Sequence, residues 1–402
     1  MRRALIAATL GWALDAFDFT LFLFALPQLQ AELHFDKSAS GLIVAATLVC
    51  SAIGGLLFGA LADRYGRARM LAVTILVYSF ACLASASSQD FAQLLFWRCV
   101  LGLGMGGEWA TGATLVVEGL PPERRNRALA MMQSGWALGF ILSAVVSQLV
   151  LPSLGWRWLF GLGVVPALFT LWIRHGVPES AAWLAHQSQP SSGAASPWTP
   201  LRTLVSAAYR YTFVTATAMV TCVMIGVWGF FTWLPSFLAT PVADGGAGLS
   251  FFKSTNWIIA LQTGAFLGYI SFGFVADALG RRRAYAIYVI ATAILAPIFV
   301  ATAQSGQTDW LLLIGPLTGL FGHGHFSALA PMLSELFPVE MRATAQSSIY
   351  NLARGISAVS PWAIGALAQR YGFTVPLVVA SGFYLLAAVV LRFVPKHPPA
   401  AR

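Results

Sequence analysis

Twelve apolar runs follow one another along this 402-residue chain, parted for the most part by short polar or Gly/Pro-rich breaks. A helix that crosses the ~30 Å hydrocarbon core of a bilayer needs about 20 mostly apolar residues. The runs of that length cover 4–31, 38–62, 69–88, 91–118, 126–151, 156–175, 208–239, 252–276, 283–303, 309–336, 344–368 and 374–394. Composition agrees: the chain is 58% hydrophobic, has mean hydropathy +0.73 and is only 10% charged, where soluble globular domains carry about 25% charged residues. So little polar surface cannot coat a water-exposed globule, and the outside must face lipid. The expected fold is an all-α membrane protein of twelve transmembrane helices.

The first run starts with basic residues as a secretion signal does. It also contains Asp15 and Asp18, and it outruns the roughly 7–15-residue apolar core of such a signal, so it reads as the first span. Cys50, Cys82, Cys99 and Cys222 lie inside apolar runs with neither bridge nor ligand spacing. That excludes a disulfide scaffold and leaves them as small buried hydrophobes.

One long polar interval, rich in Ser and Pro (HQSQPSSGAASPW), runs from Gly176 to Tyr209. It divides the chain into an N-terminal six-helix bundle at 1–175, a cytoplasmic linker at 176–207 and a C-terminal six-helix bundle at 208–402. The two halves repeat one another. GALADRYGR (Gly59 to Arg67) returns as GFVADALGR (Gly273 to Arg281), and at a slightly larger offset Glu118 and Pro121 return as Glu335 and Pro338. Two pseudo-symmetric bundles are therefore expected. Parallel repeats about an axis along the membrane normal are one transporter plan, with the substrate site near mid-membrane where the halves meet.

Lys and Arg placement sets orientation. With the N-terminus inside, the basic residues fall mostly on the cytoplasmic side, leaving Lys37, Arg157, Lys253 and Arg370 outside and Arg98 and Arg354 within spans. Both termini are then cytoplasmic, and the expected location is a bacterial inner membrane. The net charge of +9 is a topology signal; a nucleic-acid partner would need a basic face on a water-accessible domain, and none is expected.

These strings resemble the major facilitator superfamily over essentially the whole chain. The resemblance rests on the GxLADRxGR loop and its echo, on RCVLGLGMGGEWATG (Arg98 to Gly112), on VPES (Val177 to Ser180) and on SELFPVEMRA (Ser334 to Ala343). The opening GWALDAFDFTLF with GLGMGGEW is similar to the metabolite:proton symporters of the lactate and sialic acid branch. At Ser51 to Gly55 this chain has SAIGG, where lactate-type members would show an Arg-Pro pair, a departure that speaks against lactate itself. The resemblance implies the superfamily fold and alternating access, the halves rocking about a central site. It also implies a gating role for Asp63 and Arg67, paired with each other or with a neighbouring helix end, and for Asp277 and Arg281 in the second half. The competing reading is a basic loop that only fixes topology.

Ionisable groups within spans cost about 2.5–3.5 kcal/mol each on insertion, so each is a functional candidate. Asp15 and Asp18, three apart, share one face of the first helix, where two carboxylates in low dielectric cannot comfortably both ionise. Glu108 follows a glycine run in span four and aligns by the repeat with His325 in span ten. These four residues are the expected proton-coupling groups; a structural pairing of Glu108 with Arg98 or with another helix, and packing roles for the histidines, are the alternatives. His323 and His325 are two apart and point to different faces, so one of them should line the cavity, and His325 is preferred. Arg354 in span eleven offers a planar fork that fits a carboxylate bidentately. It is the expected substrate anchor, assisted by Tyr350 and Asn351, with His323, Trp109 and Gln133 as further substrate-binding residues; a structural ion pair of Arg354 with Asp15, Asp18 or Glu108 is the alternative. Of the many aromatics, Trp109 and Trp136 are expected on the cavity.

The expected function is proton-coupled symport, importing a small organic anion, a monocarboxylate or sugar acid, by alternating access. The rivals are a proton-driven antiporter exporting drugs or metabolites and a substrate sensor on a transporter fold. No HExxH, GxSxG or P-loop spacing occurs, so enzyme activity is not expected. Neither is a cofactor or metal. The expected partners are the anion, protons and the lipid bilayer, around a monomer.

Overall fold

The computed structural model describes residues 2–177, 179, 183–184, 203–338 and 341–396. Most of the expected linker, at 178, 180–182 and 185–202, lies outside the described residues. The helices are α1 (Arg2–Leu33), α2 (Lys37–Tyr65), α3 (Arg67–Ser85), α4 (Phe91–Glu118), α5 (Pro122–Gly161), α6 (Val165–Gly176), α7 (Arg210–Phe230), α8 (Leu234–Ala239), α9 (Phe251–Leu279), α10 (Arg281–Gln304), α11 (Leu311–Gly324), α12 (Phe326–Ser334), α13 (Arg342–Ser357), α14 (Val359–Tyr371) and α15 (Thr374–Leu391). No strand is present among the described residues.

All twelve expected spans are found, although only nine helical stretches among the described residues are continuous, long and apolar enough to cross a membrane. Spans five and six run into one another through a kink at Gly155 inside α5. Span seven is α7 continued through a 3-10 turn at Phe231–Trp233 into α8. Spans ten and eleven are each two stacked pieces, α11 with α12 and α13 with α14, broken at His325 and Ala358. Pro331 and Pro361 near these breaks lack the N–H that a continuous helix would use. Irregular backbone at membrane depth is tolerated only where protein or a cavity surrounds it, and both break points are buried.

The repeat seen in the sequence returns in the backbone. Gly66 (φ 106°) and Gly280 (φ 84°) end α2 and α9, and Gly155 (φ 77°) and Gly372 (φ 73°) make the turns after spans five and eleven. A side chain would be strained at these positive φ values, which pins the turns at corresponding places in both halves. Aspartate and serine caps also correspond. Asp36 accepts from Ala39 N at 2.7 Å at the start of α2, and Ser250 caps α9.

Helices α1 to α6 pack mainly among themselves, as do α7 to α15, and the two sets meet where α2 lies on α13 and α14 and where α5 lies on α9. The α2 contact is close enough that a Cβ on Gly41 would overlap the Pro361 carbonyl. Large apolar side chains such as Leu149 (72% exposed) and Phe274 (69%) cover the outside of the bundle, a surface suited to lipid. Three hydrogen bonds join the sets at the end away from the α2–α3 loop: Ser38 N donates to Gln369 Oε1 at 3.3 Å, and Gln148 Nε2 donates to Asn256 Oδ1 at 2.8 Å and to the Phe252 carbonyl at 3.3 Å.

Candidate functional site

Between the two sets of helices, at mid-span, lies a cavity. Its wall is largely aromatic. Trp12 and Trp136 pack with ring centroids 5.1 Å apart, Trp136 and Trp228 at 5.8 Å, and Phe19 meets Trp228 edge-on at 5.5 Å. These rings come from α1, α5 and α7, so each half supplies part of the wall. Phe231, Phe326, Tyr269 and Tyr350 continue it.

Arg354 on α13 is the single charged side chain among the described residues lining this cavity. It is 1% exposed. Its Nη1 donates to Ser51 Oγ on α2 at 2.6 Å, its Nη2 donates to the Tyr350 hydroxyl at 3.1 Å, and its Nε has no partner. The Tyr350 ring lies 4.8 Å from the guanidinium carbon. Two neutral hydroxyls thus orient the fork across the junction of the halves, and no carboxylate among the described residues is paired with it. A buried cation held only by neutral hydroxyls is costly.

The acids stand behind the wall. Asp15, Asp18 and Glu108 are fully buried; the carboxylate oxygens of Asp15 and Glu108 lack a hydrogen-bond partner among the described residues, while Asp18 meets the Cys82 thiol. Asp15 and Glu108 are within electrostatic range of Arg354, and all three acids are within range of the Tyr78 phenol on α3. Asp18 faces Arg98 instead. The Arg98 guanidinium is sandwiched 4.9 Å from the Phe22 ring and 4.4 Å from the Phe160 ring, with Nη1 donating to the Asp18 carbonyl at 3.4 Å. Glu108 therefore does not pair with Arg98; it reaches toward α1 beside Gly11. The glycines before it admit helices rather than a ligand, since a Cβ on Gly106 would overlap the Ser51 carbonyl of α2.

Three expectations are corrected. His323, not His325, lines the cavity, with its ring 4.2 Å from Phe231. The two histidines flank the break after Gly324, and His325 turns into the second half between Tyr285 and Tyr384, its Nδ1 against the Phe321 carbonyl at 3.2 Å. Hence Glu108 and His325, though equivalent in the repeat, do not face one chamber. Asn351 also misses the cavity wall: its amide donates to the Ser347 carbonyl at 3.0 Å and packs against Gly55 of α2.

Gln133 and Tyr350 do line the cavity, and so does Trp136. Trp109 lies just beyond, stacked on Tyr350 with its Nε1 donating to Gln133 Oε1 at 3.2 Å. Behind this stack a second groove, shared by Trp109, Gln133, Phe326, Ala330 and Tyr350, runs between the halves toward the loop-bearing end.

In that loop, Arg67 pairs with Asp63 at 2.9 Å and with Glu118 at 3.1 Å. Glu179 accepts from the Arg67 backbone N–H at 2.8 Å, satisfying the free N-terminus of α3. In the second half Arg281 pairs with Glu335 rather than with Asp277, which is exposed. Glu118 and Glu335 were not assigned from sequence as partners, although their alignment in the repeat was the signal. Ser51 and Tyr78 carried no such signal, since an isolated hydroxyl in an apolar run reads as packing.

The family model described as Major Facilitator Superfamily matches residues 8–271 and 246–402. The cis,cis-muconate transport protein of Acinetobacter baylyi is 30% identical over 96% of this chain and 92% of its own length. The sialic acid transporter NanX of Escherichia coli is 30% identical over 98% of this chain and 94% of its own. Among solved structures, that of a D-xylose-proton symporter superposes with a TM-score of 0.77 at 19% identity, covering 98% of this chain and 97% of that one.

Proposed function

This chain belongs to the Major Facilitator Superfamily, is a membrane transporter rather than an enzyme, and on that premise we propose that it imports a small organic anion together with protons. One observation carries the reading: the central cavity has a single charge, the buried Arg354, oriented by Ser51 and Tyr350 and left without a carboxylate partner. A cationic cargo would be repelled there. That disfavours export of cationic drugs, the chief rival. Relatives named for muconate and sialic acid carry acids, which supports the same class of cargo here.

Coupling follows from competition for Arg354. When Asp15 or Glu108 is ionised, its charge offsets the guanidinium; once protonated, it frees that positive potential for the anion. Proton and anion therefore favour each other's binding, as linkage requires. A site holding guanidinium, anion and neutral acid carries no net charge, which lowers the cost of rocking the two halves past it. With Lys and Arg concentrated inside, the loop-bearing end is cytoplasmic, and the groove behind the Trp109–Tyr350 stack is the exit route. Arg67 with Glu118, and Arg281 with Glu335, then act as latches at that exit, the exposed Asp63 being a minor partner of Arg67.

The test is uptake of labelled mono- and dicarboxylates, sialic acid and aromatic acids into proteoliposomes with an acid exterior. We expect accumulation of an acid, its collapse with a protonophore and its loss in Arg354→Ala. Uptake of an acid at unchanged affinity by Arg354→Ala would overturn the assignment.

A further inference from the structure

Several polar groups on the cavity wall have a hydrogen to donate and no acceptor among the described residues. Around Arg354, the guanidinium has no acceptor lone pair, and the Tyr350 hydroxyl, already accepting from Nη2, keeps its hydrogen for the cavity. Gln133, whose oxygen accepts from the Trp109 indole, adds an amide NH₂ that can only donate. On other helices a second set waits. The Nε1–H groups of Trp12 on α1 and Trp228 on α7 are buried with no partner, and so is the Thr232 hydroxyl; all three residues line the cavity, and both indoles flank the Trp136 ring. Indole nitrogen is a donor only. Buried donors are normally satisfied, and no acceptor among the described residues reaches these two.

We infer that the cavity selects flat, unsaturated acids bearing a second hydrogen-bond acceptor, such as a carbonyl, ring nitrogen or second carboxyl, which the Trp12 and Trp228 indoles hold while Arg354 holds the first carboxylate. This rests on the anion reading above and narrows it. Acceptor-only ligands satisfy both donor sets. A polyhydroxylated sugar acid sets most of its hydroxyls against aromatic ring faces, where they find no partner, and a polar group left unpaired in a buried site is strongly selected against. The closely packed rings also suit a planar ligand, which stacks or meets them edge-on.

Displacement of radiolabelled benzoate from the full-length protein in detergent tests this without requiring transport. 4-Formylbenzoate, which adds only an acceptor, should displace the label about tenfold more effectively than unlabelled benzoate. 4-Aminobenzoate, which places a donor at the same position, should gain nothing, and gluconate should compete poorly. In Trp12→Phe and Trp228→Phe, which keep an aromatic ring but remove the N–H, the ratio of 4-formylbenzoate to benzoate affinity should fall toward one. Should Trp12→Phe fail to fold, Trp228→Phe at its half-buried position carries the same readout. Equal displacement by benzoate and 4-formylbenzoate, a ratio unmoved by the indole substitutions, or a preference for gluconate overturns the inference while the anion reading stands. A protein that binds no carboxylate at all removes both.

Discussion

The Trp109 indole, carried by the first half of the molecule, lies flat on the Tyr350 ring of the second half, with centroids 4.0 Å apart and planes 7° from parallel. Gln133 holds the indole in that plane, and Tyr350 in turn holds Arg354. The stack therefore ties the proposed anion site to the contact that separates the central cavity from the groove toward the loop-bearing end. An aromatic pair of this kind is worth about 0.5–1.5 kcal/mol beyond its buried area. Trp109→Ala should shift the population toward the state open at that end by roughly 2–10-fold. In a background lacking the four native cysteines, Thr232→Cys in the cavity should then react several-fold faster with a maleimide, and an unchanged rate would remove the stack from the gate.

Arg354→Lys keeps the charge but loses the fork that Ser51 and Tyr350 orient. Anion affinity measured by equilibrium dialysis should fall at least about tenfold. Ser51→Ala, which frees one arm of the fork, should produce a smaller loss of the same kind, and wild-type affinity in Arg354→Lys would mean that charge alone suffices.

Uptake should rise as external pH falls. A proton on Asp15 or Glu108 removes the negative charge competing with the anion for Arg354, so acid outside favours loading and the neutral interior favours release. Asp15→Asn and Glu108→Gln mimic the protonated acid. The variant that has lost the coupling group should still exchange labelled for unlabelled anion but should no longer accumulate it down a proton gradient. If both variants accumulate normally, coupling lies elsewhere.

At the loop, Asp63 is 75% exposed and Glu118 only 21%. Exposed pairs contribute about 0–1 kcal/mol, so Asp63→Ala should leave uptake rates nearly unchanged, whereas Glu118→Ala should alter them several-fold. Equal effects would indicate that Arg67 responds to net local charge, not to the half-buried partner.

Backbone geometry gives a sharper contrast. Ala at Gly155 or Gly372 forces a side chain into a positive-φ turn and should destabilise by about 1–2 kcal/mol. Gly273, inside α9 with no atom within 4 Å of an added Cβ, should tolerate Ala or gain about 0.5–1 kcal/mol. Thermal melting in detergent reads both, and a lower melting temperature for Gly273→Ala would contradict the distinction.

Much of the site was legible residue by residue. Arg354 stood out because an always-charged group inside an apolar run has few reasons to be there, and Asp15, Asp18 and Glu108 stood out for the same reason. What could not be read was direction. The repeat favours His325 over His323, yet the break after Gly324 turns His323 to the cavity instead. Asn351 shares a helix with Arg354 and Tyr350, yet its place on the cylinder turns it onto α2. The donors awaiting an acceptor, Trp12 and Trp228, lie more than two hundred residues apart, and no local pattern joins them.

The sequence by itself determined the twelve spans, the repeat and the presence of buried charge, because span length, hydropathy and the cost of an ion in lipid are properties of short segments read one at a time. Tertiary structure alone decided that Ser51 of one half steadies Arg354 of the other, that the acids stand behind an aromatic wall, and that Arg67 and Arg281 choose glutamates from another helix. Those pairings depend on how two bundles of helices are rotated against each other. That rotation is set by packing summed over the whole interface, a quantity that no single stretch of chain contains.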